Sequence, residues 1–163
     1  MGLFGLFGKN KKDKEGPSQN DQNGGLDDFT KDMAASAEFF VSSSSDRYPG
    51  LDFSVKSLEV VDRALADASD FFDEMNDDHK QNVISTAGSY VFEVARRNFG
   101  GRYFWYDKLN QPIFVTGQPE FEVSLLAFEK VKGRLVNGKE DNIPFYFAGY
   151  VERVKNKESG MIV

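Results

Sequence analysis

Between Thr86 and Trp105 the chain reads TAGSYVFEVARRNFGGRYFW. A helical run stops at two glycines, and an aromatic strand starts almost at once. Gly100 and Gly101 supply the positive backbone dihedrals a helix needs at its end, and a strand that follows without a linker must pack back beside that helix. The junction therefore predicts a helix against a sheet. It also brings the densest helical charges, Glu93, Arg96 and Arg97, next to the aromatics Tyr103 to Tyr106.

The same helix predicts an apolar face of Ile84, Gly88, Val91 and Ala95, with Gly88 allowing another element to approach closely. Tyr90, Glu93 and Arg97 share a neighbouring stripe, so Glu93 lies within reach of both Arg96 and Arg97 by the three-and-four rule. Two readings stand side by side. One is a surface ion pair worth roughly 0.3–0.5 kcal/mol. The other is a carboxylate buried against the aromatic strand, forming with Tyr90, Arg96, Arg97, Tyr103 and Trp105 a candidate pocket or interaction site.

Upstream, Leu26 to Ser42 has helical spacing and ends in a serine run, and Tyr48 to Ser54 reads as a turn around Pro49 and Gly50. Ser54 caps a helix carrying Leu58, Val61 and Leu65 to about Ser69. The acidic stretch Asp70 to Asp78 contains Phe71, Phe72 and Met75, which either extend that apolar face or pack under the loop. The glycine-stopped helix starts near Asp78.

Downstream, Arg102 to Tyr106 and Pro112 to Thr116 form a hairpin, and Phe121, Val123 and Leu125 alternate as a third strand. Leu126 to Val136 is helical and stops at Asn137-Gly138. Pro144 opens a last helix running to about Lys155. The predicted fold is α+β, a small antiparallel three-strand meander packed against about five helices. Residues 25–155 make one domain, residues 156–163 a frayed C-terminal tail. Residues 1–24, rich in glycine and polar side chains, read as a disordered N-terminal tail. Its apolar tip precedes four lysines, the reverse of a secretory signal, which leaves weak membrane association of residues 1–14, a docking peptide, or no role of its own.

Composition removes several function classes. With no cysteine there is no disulfide, thiolate chemistry or cysteine-based metal site. The single histidine, His79, lies in a polar run with no neighbouring serine, so it reads as a solvated residue near a helix start. No phosphate loop or calcium loop is present, and no second carboxylate is singled out as a partner for Glu93 among Asp52, Asp62 and the other acids. No metal or other cofactor is expected. The sixteen Phe against one Trp predict a core of large apolar rings.

Charge is unevenly spread. Residues 1–24 carry 4 basic and 3 acidic groups, residues 25–82 carry 5 and 14, and residues 83–163 carry 11 and 9, giving +1, −9 and +2. The acidic first half disfavours nucleic acid and suits a basic protein partner. Its acidic surface centres on Asp70, Asp73, Glu74, Asp77 and Asp78. The competing account is that these carboxylates only keep a Phe-rich domain soluble.

The turn Tyr48-Pro49-Gly50-Leu51-Asp52-Phe53-Ser54, the series Gly88, Tyr90, Glu93, Arg96, Arg97, Gly100, Gly101, and the run Lys132 to Gly138 resemble those of a group of small bacterial domains of unknown function. The likeness covers roughly residues 48–154. It implies a cytoplasmic, non-catalytic domain, and some similar domains are encoded like immunity proteins that neutralise toxins. The resulting expectation is a protein-interaction domain of immunity type, with a small-ligand or hydrolytic pocket around Glu93 and Arg97 as the alternative.

Overall fold

The computed structural model describes residues 26–163, which form five α-helices and one four-stranded sheet. In chain order these are α1 (Asp28–Ser44), α2 (Leu58–Ser69), α3 (Asp77–Phe99), β1 (Arg102–Tyr106), β2 (Gln111–Thr116), β3 (Val123–Leu125), α4 (Ala127–Asn137), α5 (Ile143–Asn156) and β4 (Gly160–Ile162). The expectations for residues 1–24, including the apolar tip, lie outside the described residues.

The longest helix, α3, is the axis of the fold. Asn76 caps its start by accepting from the His79 N–H at 2.8 Å, and Asp77 and Asp78 in the first turn complement the helix dipole. Every residue from Ile84 to Ala95 is buried, because α1, α4 and the sheet pack around it. Gly88 permits a close approach of α4: a Cβ there would lie 2.4 Å from Cδ1 of Phe128. The helix ends as the sequence predicts, with Gly100 at φ +73 and its N–H bonded to the Arg96 carbonyl at 3.0 Å. Gly101, at φ +136, lies so close to β2 that a Cβ would be 2.4 Å from the Val115 carbonyl oxygen.

The sheet corrects the predicted meander. Strands β1, β2 and β3 are antiparallel neighbours as expected, but β4 adds a fourth, parallel to β3, so the sheet is mixed in the order β1-β2-β3-β4. β4 comes from the stretch expected to fray. Three residues, Gly-Met-Ile, carry too little pattern to read as a strand, and tertiary contacts hold them. Lys157 takes a left-handed conformation at the end of α5, the Glu158 N–H returns to the Arg153 carbonyl, and the chain reverses. The Ser159 hydroxyl then accepts from the Glu122 N–H at 3.0 Å, and the Gly160 N–H donates to the Glu122 carbonyl at 2.9 Å. The Tyr146 hydroxyl donates to the Ile162 carbonyl at 3.1 Å, pinning the strand from α5.

Pairing of Tyr103 with Phe114 and of Phe114 with Leu125 aligns one face of the sheet. There Phe92 of α3 meets Tyr103 and Phe114 with ring centroids 5.7 and 6.5 Å apart. At the far end Phe99, Phe147 and Tyr150 form a second ring cluster. The Thr116 hydroxyl donates to the Gly100 carbonyl at 2.8 Å, so the Tyr150 hydroxyl, 2.6 Å away, donates to Thr116. This is the Phe-rich core that composition predicts.

Candidate functional site

Glu93 lies on α3 about two helical turns before the glycine stop, where β1 folds back against it. Its side chain is fully buried. Arg96 grips the carboxylate with two parallel bonds, Nε to Oε2 at 2.7 Å and Nη2 to Oε1 at 2.8 Å. Arg97 Nε reaches Oε1 at 3.3 Å, and the Tyr103 hydroxyl donates to Oε2 at 2.9 Å. The buried reading of Glu93 is therefore the correct one. A carboxylate offers about four acceptor positions, and here four donors occupy them.

That saturation decides what the cluster does chemically. A general base needs a free lone pair aimed at a substrate proton, and Glu93 has none to spare. Burial, reinforced by the Glu93 charge and its hydrogen bond, holds the Tyr103 phenol well above its usual range. The hydrogen bonds that Arg96 donates to Glu93 raise the guanidinium further, against its partial burial. The group is a charge-compensated strut that joins α3 to β1.

Arg97 extends the strut outward. Its guanidinium stacks over the Phe53 ring at 3.7 Å and donates to Glu38 of α1 at 3.2 Å. Phe53 in turn lies against Tyr90, centroids 4.6 Å apart and 24° from parallel. Phe53 has φ +61, a conformation rarely taken by a bulky side chain. The surroundings hold it there: its N–H donates to the Tyr90 hydroxyl at 2.9 Å, and its carbonyl accepts from Asn98 Nδ2 at 2.9 Å. The Ser57 hydroxyl donates to the Ser54 carbonyl at 2.6 Å, so the Tyr90 hydroxyl donates to Ser57 at 2.7 Å. Burial is the main cause of the raised Tyr90 phenol. Tyr90, Glu93, Arg96, Arg97 and Tyr103 thus come together as the sequence proposes. Glu38 and Phe53 are members it did not reveal, since they meet the cluster across long sequence separations, and Asn98, on α3 itself, joins only through its bond to the distant Phe53.

Trp105 follows Tyr103 on the same face of β1 and is half-buried against the core, but the polar contacts of Glu93 end at Tyr103. Asp62, once a conceivable partner for Glu93, serves a different junction. It takes a two-pronged bond from Arg134 of α4 at 2.9 and 3.2 Å and accepts from the Ile143 N–H at 3.0 Å, tying α2, α4 and α5 together.

The acidic stretch presents a different surface. Asp70, Asp73, Glu74, Asp77 and Asp78 are all exposed, and His79 beside them is exposed as well. After α2 ends at Ser69, a single 3₁₀ turn, Phe72–Glu74, points Phe72 into the core and Phe71 out. Phe71 is 60% exposed. Phe72 packs inward as expected of this stretch, whereas Phe71 neither extends the apolar face of α2 nor packs under the loop. Lys80 is drawn over the Phe72 ring at 5.3 Å.

A groove of about 360 Å³ opens over α4, lined by Glu129, Lys130, Gly133, Val136, Asp141 and Val163 among others, and no member of the Glu93 cluster borders it. Lys130 and Asn137 hold Asp141 below the usual carboxylate range. Among the described residues no group of three or more His, Asp or Glu side chains is placed to hold a metal ion, and no helix is long and apolar enough to cross a membrane. Comparison with protein-family models, with curated proteins and with solved structures finds no match to this chain.

Proposed function

We propose that this is a non-catalytic protein-interaction domain that binds a basic protein partner through the surface formed by residues 70–78, in the manner of a stoichiometric, immunity-type inhibitor. One observation carries the reading: Phe71 stands 60% exposed amid the exposed carboxylates of Asp70, Asp73, Glu74, Asp77 and Asp78. An aromatic anchor inside a charged rim is the usual anatomy of a binding hot spot. The rim steers a basic partner and the ring supplies contact area once water is excluded. The fitting counterpart is an apolar cleft ringed by lysine and arginine.

The Glu93 cluster supports the same conclusion from the other side. Its acceptors are filled by its own chain, which weighs against the alternative of a ligand or hydrolytic pocket there. In the interaction reading the strut keeps α3 rigid, and the first turn of α3 carries two of the rim carboxylates, Asp77 and Asp78.

The test is capture of a stoichiometric partner by the full chain, by Phe71→Ser, and by a variant with Asp73→Asn, Glu74→Gln, Asp77→Asn and Asp78→Asn together. The expected partner is basic, its capture weakens with added salt, and both variants lose it. Binding that survives both sets of substitutions places the interface elsewhere and ends this reading.

A further inference from the structure

The second face of the sheet belongs to a different part of the molecule. Tyr103, Phe114 and Thr116 point to the helical side, where Phe29 of α1, Phe92 of α3 and Tyr150 of α5 meet them. Strand residues alternate between faces, so Phe104, Ile113, Val115, Ser124 and Met161 share the other. Pairing of Phe104 with Ile113, of Val115 with Ser124 and of Ser124 with Met161 joins them across all four strands. Gln111, the first residue of β2, is the exception at the margin, donating to Glu129 of α4 at 2.9 Å. A sheet covered by helices on one face normally presents polar side chains on the other. Here the outward set is rich in Phe, Ile, Val and Met. Ile113 and Val115 are 6% and 8% exposed, yet neither belongs to the continuous core around α3. Phe104 beside them is half-buried, and Met161 is exposed.

We propose that the chain supplies the cover for this face itself, the apolar tip Leu3, Phe4, Leu6 and Phe7 lying against Phe104, Ile113, Val115 and Met161. Position, length and composition choose this occupant. The described residues begin at Leu26, and Phe29, in the first turn of α1, meets Tyr103 with ring centroids 5.6 Å apart. Tyr103 lies in β1, the edge strand, so the preceding segment departs from that margin of the sheet. Residues 8–25 contain no large apolar side chain. As a linker they reach up to about 60 Å, whereas a sheet of four strands is only about 15 Å across. A tether of this kind holds the tip at an effective concentration on the order of 1 mM. Four apolar side chains make too small a contact to hold separate molecules together tightly, and at that concentration they suffice. The tip is then an intramolecular ligand, not a free docking peptide or a membrane anchor.

The experiment uses the full chain, which has no cysteine, so that one can be introduced alone. A nitroxide on Gly5→Cys is expected to broaden the NMR signals of Phe104, Ile113, Val115 and Met161 and to leave Phe71, beyond the end of α2, sharp. In a mixture of isotope-labelled chain without the nitroxide and unlabelled chain carrying it, no such broadening is expected. A variant with Leu3→Ser, Phe4→Ser, Leu6→Ser and Phe7→Ser together is expected to unfold as cooperatively as the wild type. Its Ile113, Val115 and Met161 methyls should nevertheless become open to a soluble gadolinium relaxation agent that the wild type excludes. Sheet signals that stay sharp beside the labelled tip overturn the inference, as do methyls equally shielded in the variant. Broadening of equal strength in the mixed sample makes the contact one between copies and overturns it too.

Discussion

Replacing Glu93 by glutamine removes one charge and almost no volume, so the loss it causes measures the strut itself. The carboxylate accepts from Arg96 at 2.7 and 2.8 Å, from Arg97 at 3.3 Å and from Tyr103 at 2.9 Å. An amide keeps one acceptor oxygen and sets two donors against a guanidinium that can only donate. At least two of the four bonds are lost, and the partly buried Arg96 and Arg97 guanidiniums lose the carboxylate charge they share. Breaking a buried pair from one side costs about 3–5 kcal/mol. Here the Arg96 and Arg97 side chains are 22% and 33% exposed, so water recovers part of the loss, and about 3 kcal/mol is the expected figure. For a domain of this size that lowers Tm by roughly 6–12 °C. The assay is equilibrium urea unfolding followed by far-UV circular dichroism, with m unchanged so that the midpoint shift reports stability. Glu38→Gln is the control: its carboxylate is 57% exposed, and its loss is expected to stay within about 0.5 kcal/mol. A Glu93→Gln variant less than about 1 kcal/mol below wild type would refute the strut, as would one no worse than Glu38→Gln.

Further expectations follow from the same contacts. Burial raises the phenols of Tyr90, Tyr103 and Tyr146, and that of Tyr150 to about 12. The unfolded chain ionises these groups near pH 10 while the fold keeps them neutral. Their contribution is therefore complete below pH 10 and lost above it, at roughly 1–1.5 kcal/mol per pH unit for each phenol still neutral in the fold. Absorbance at 295 nm should show them ionising together with unfolding between pH 10 and 12, and independent titration near pH 10 would contradict it. Gly88→Ala forces a methyl to 2.4 Å from the Phe128 ring, and a loss of about 1–3 kcal/mol in denaturant unfolding is expected despite the better helix propensity. Asn76→Ala removes the cap on α3 and should cost about 1 kcal/mol in the same measurement. Asp62→Asn leaves Arg134, whose side chain is 5% exposed, short of its counter-charge, and a larger loss than that of Asn76→Ala is expected.

Local chemistry made much of this fold readable. The cap-to-glycine span of α3, the hairpin that follows, and the starts of α4 and α5 each depend on residues within a few positions of one another. Glycine dihedrals, side-chain caps and apolar periodicity act over such distances. The burial of Gly88 against another element was legible too, because a glycine on an apolar helical face has few other uses. At Glu93 the sequence supplied the spacing to both arginines but left burial undecided, since spacing along a helix says nothing about what covers it.

What the sequence by itself determined is the α+β class, the order of its helices and first three strands, the acidic first half and the proximity of Glu93, Arg96 and Arg97. All of these are local or compositional. Only the tertiary structure decided that Glu93 is sealed by Tyr103, that Phe53 and Glu38 join it from positions 40 and 55 residues away, that Phe71 faces out while Phe72 faces in, and that Gly160–Ile162 becomes a strand. The physical reason is common to all four. Each outcome depends on contacts whose energies arise only after distant segments have met, and a three-residue strand or one aromatic ring carries no local preference strong enough to announce them.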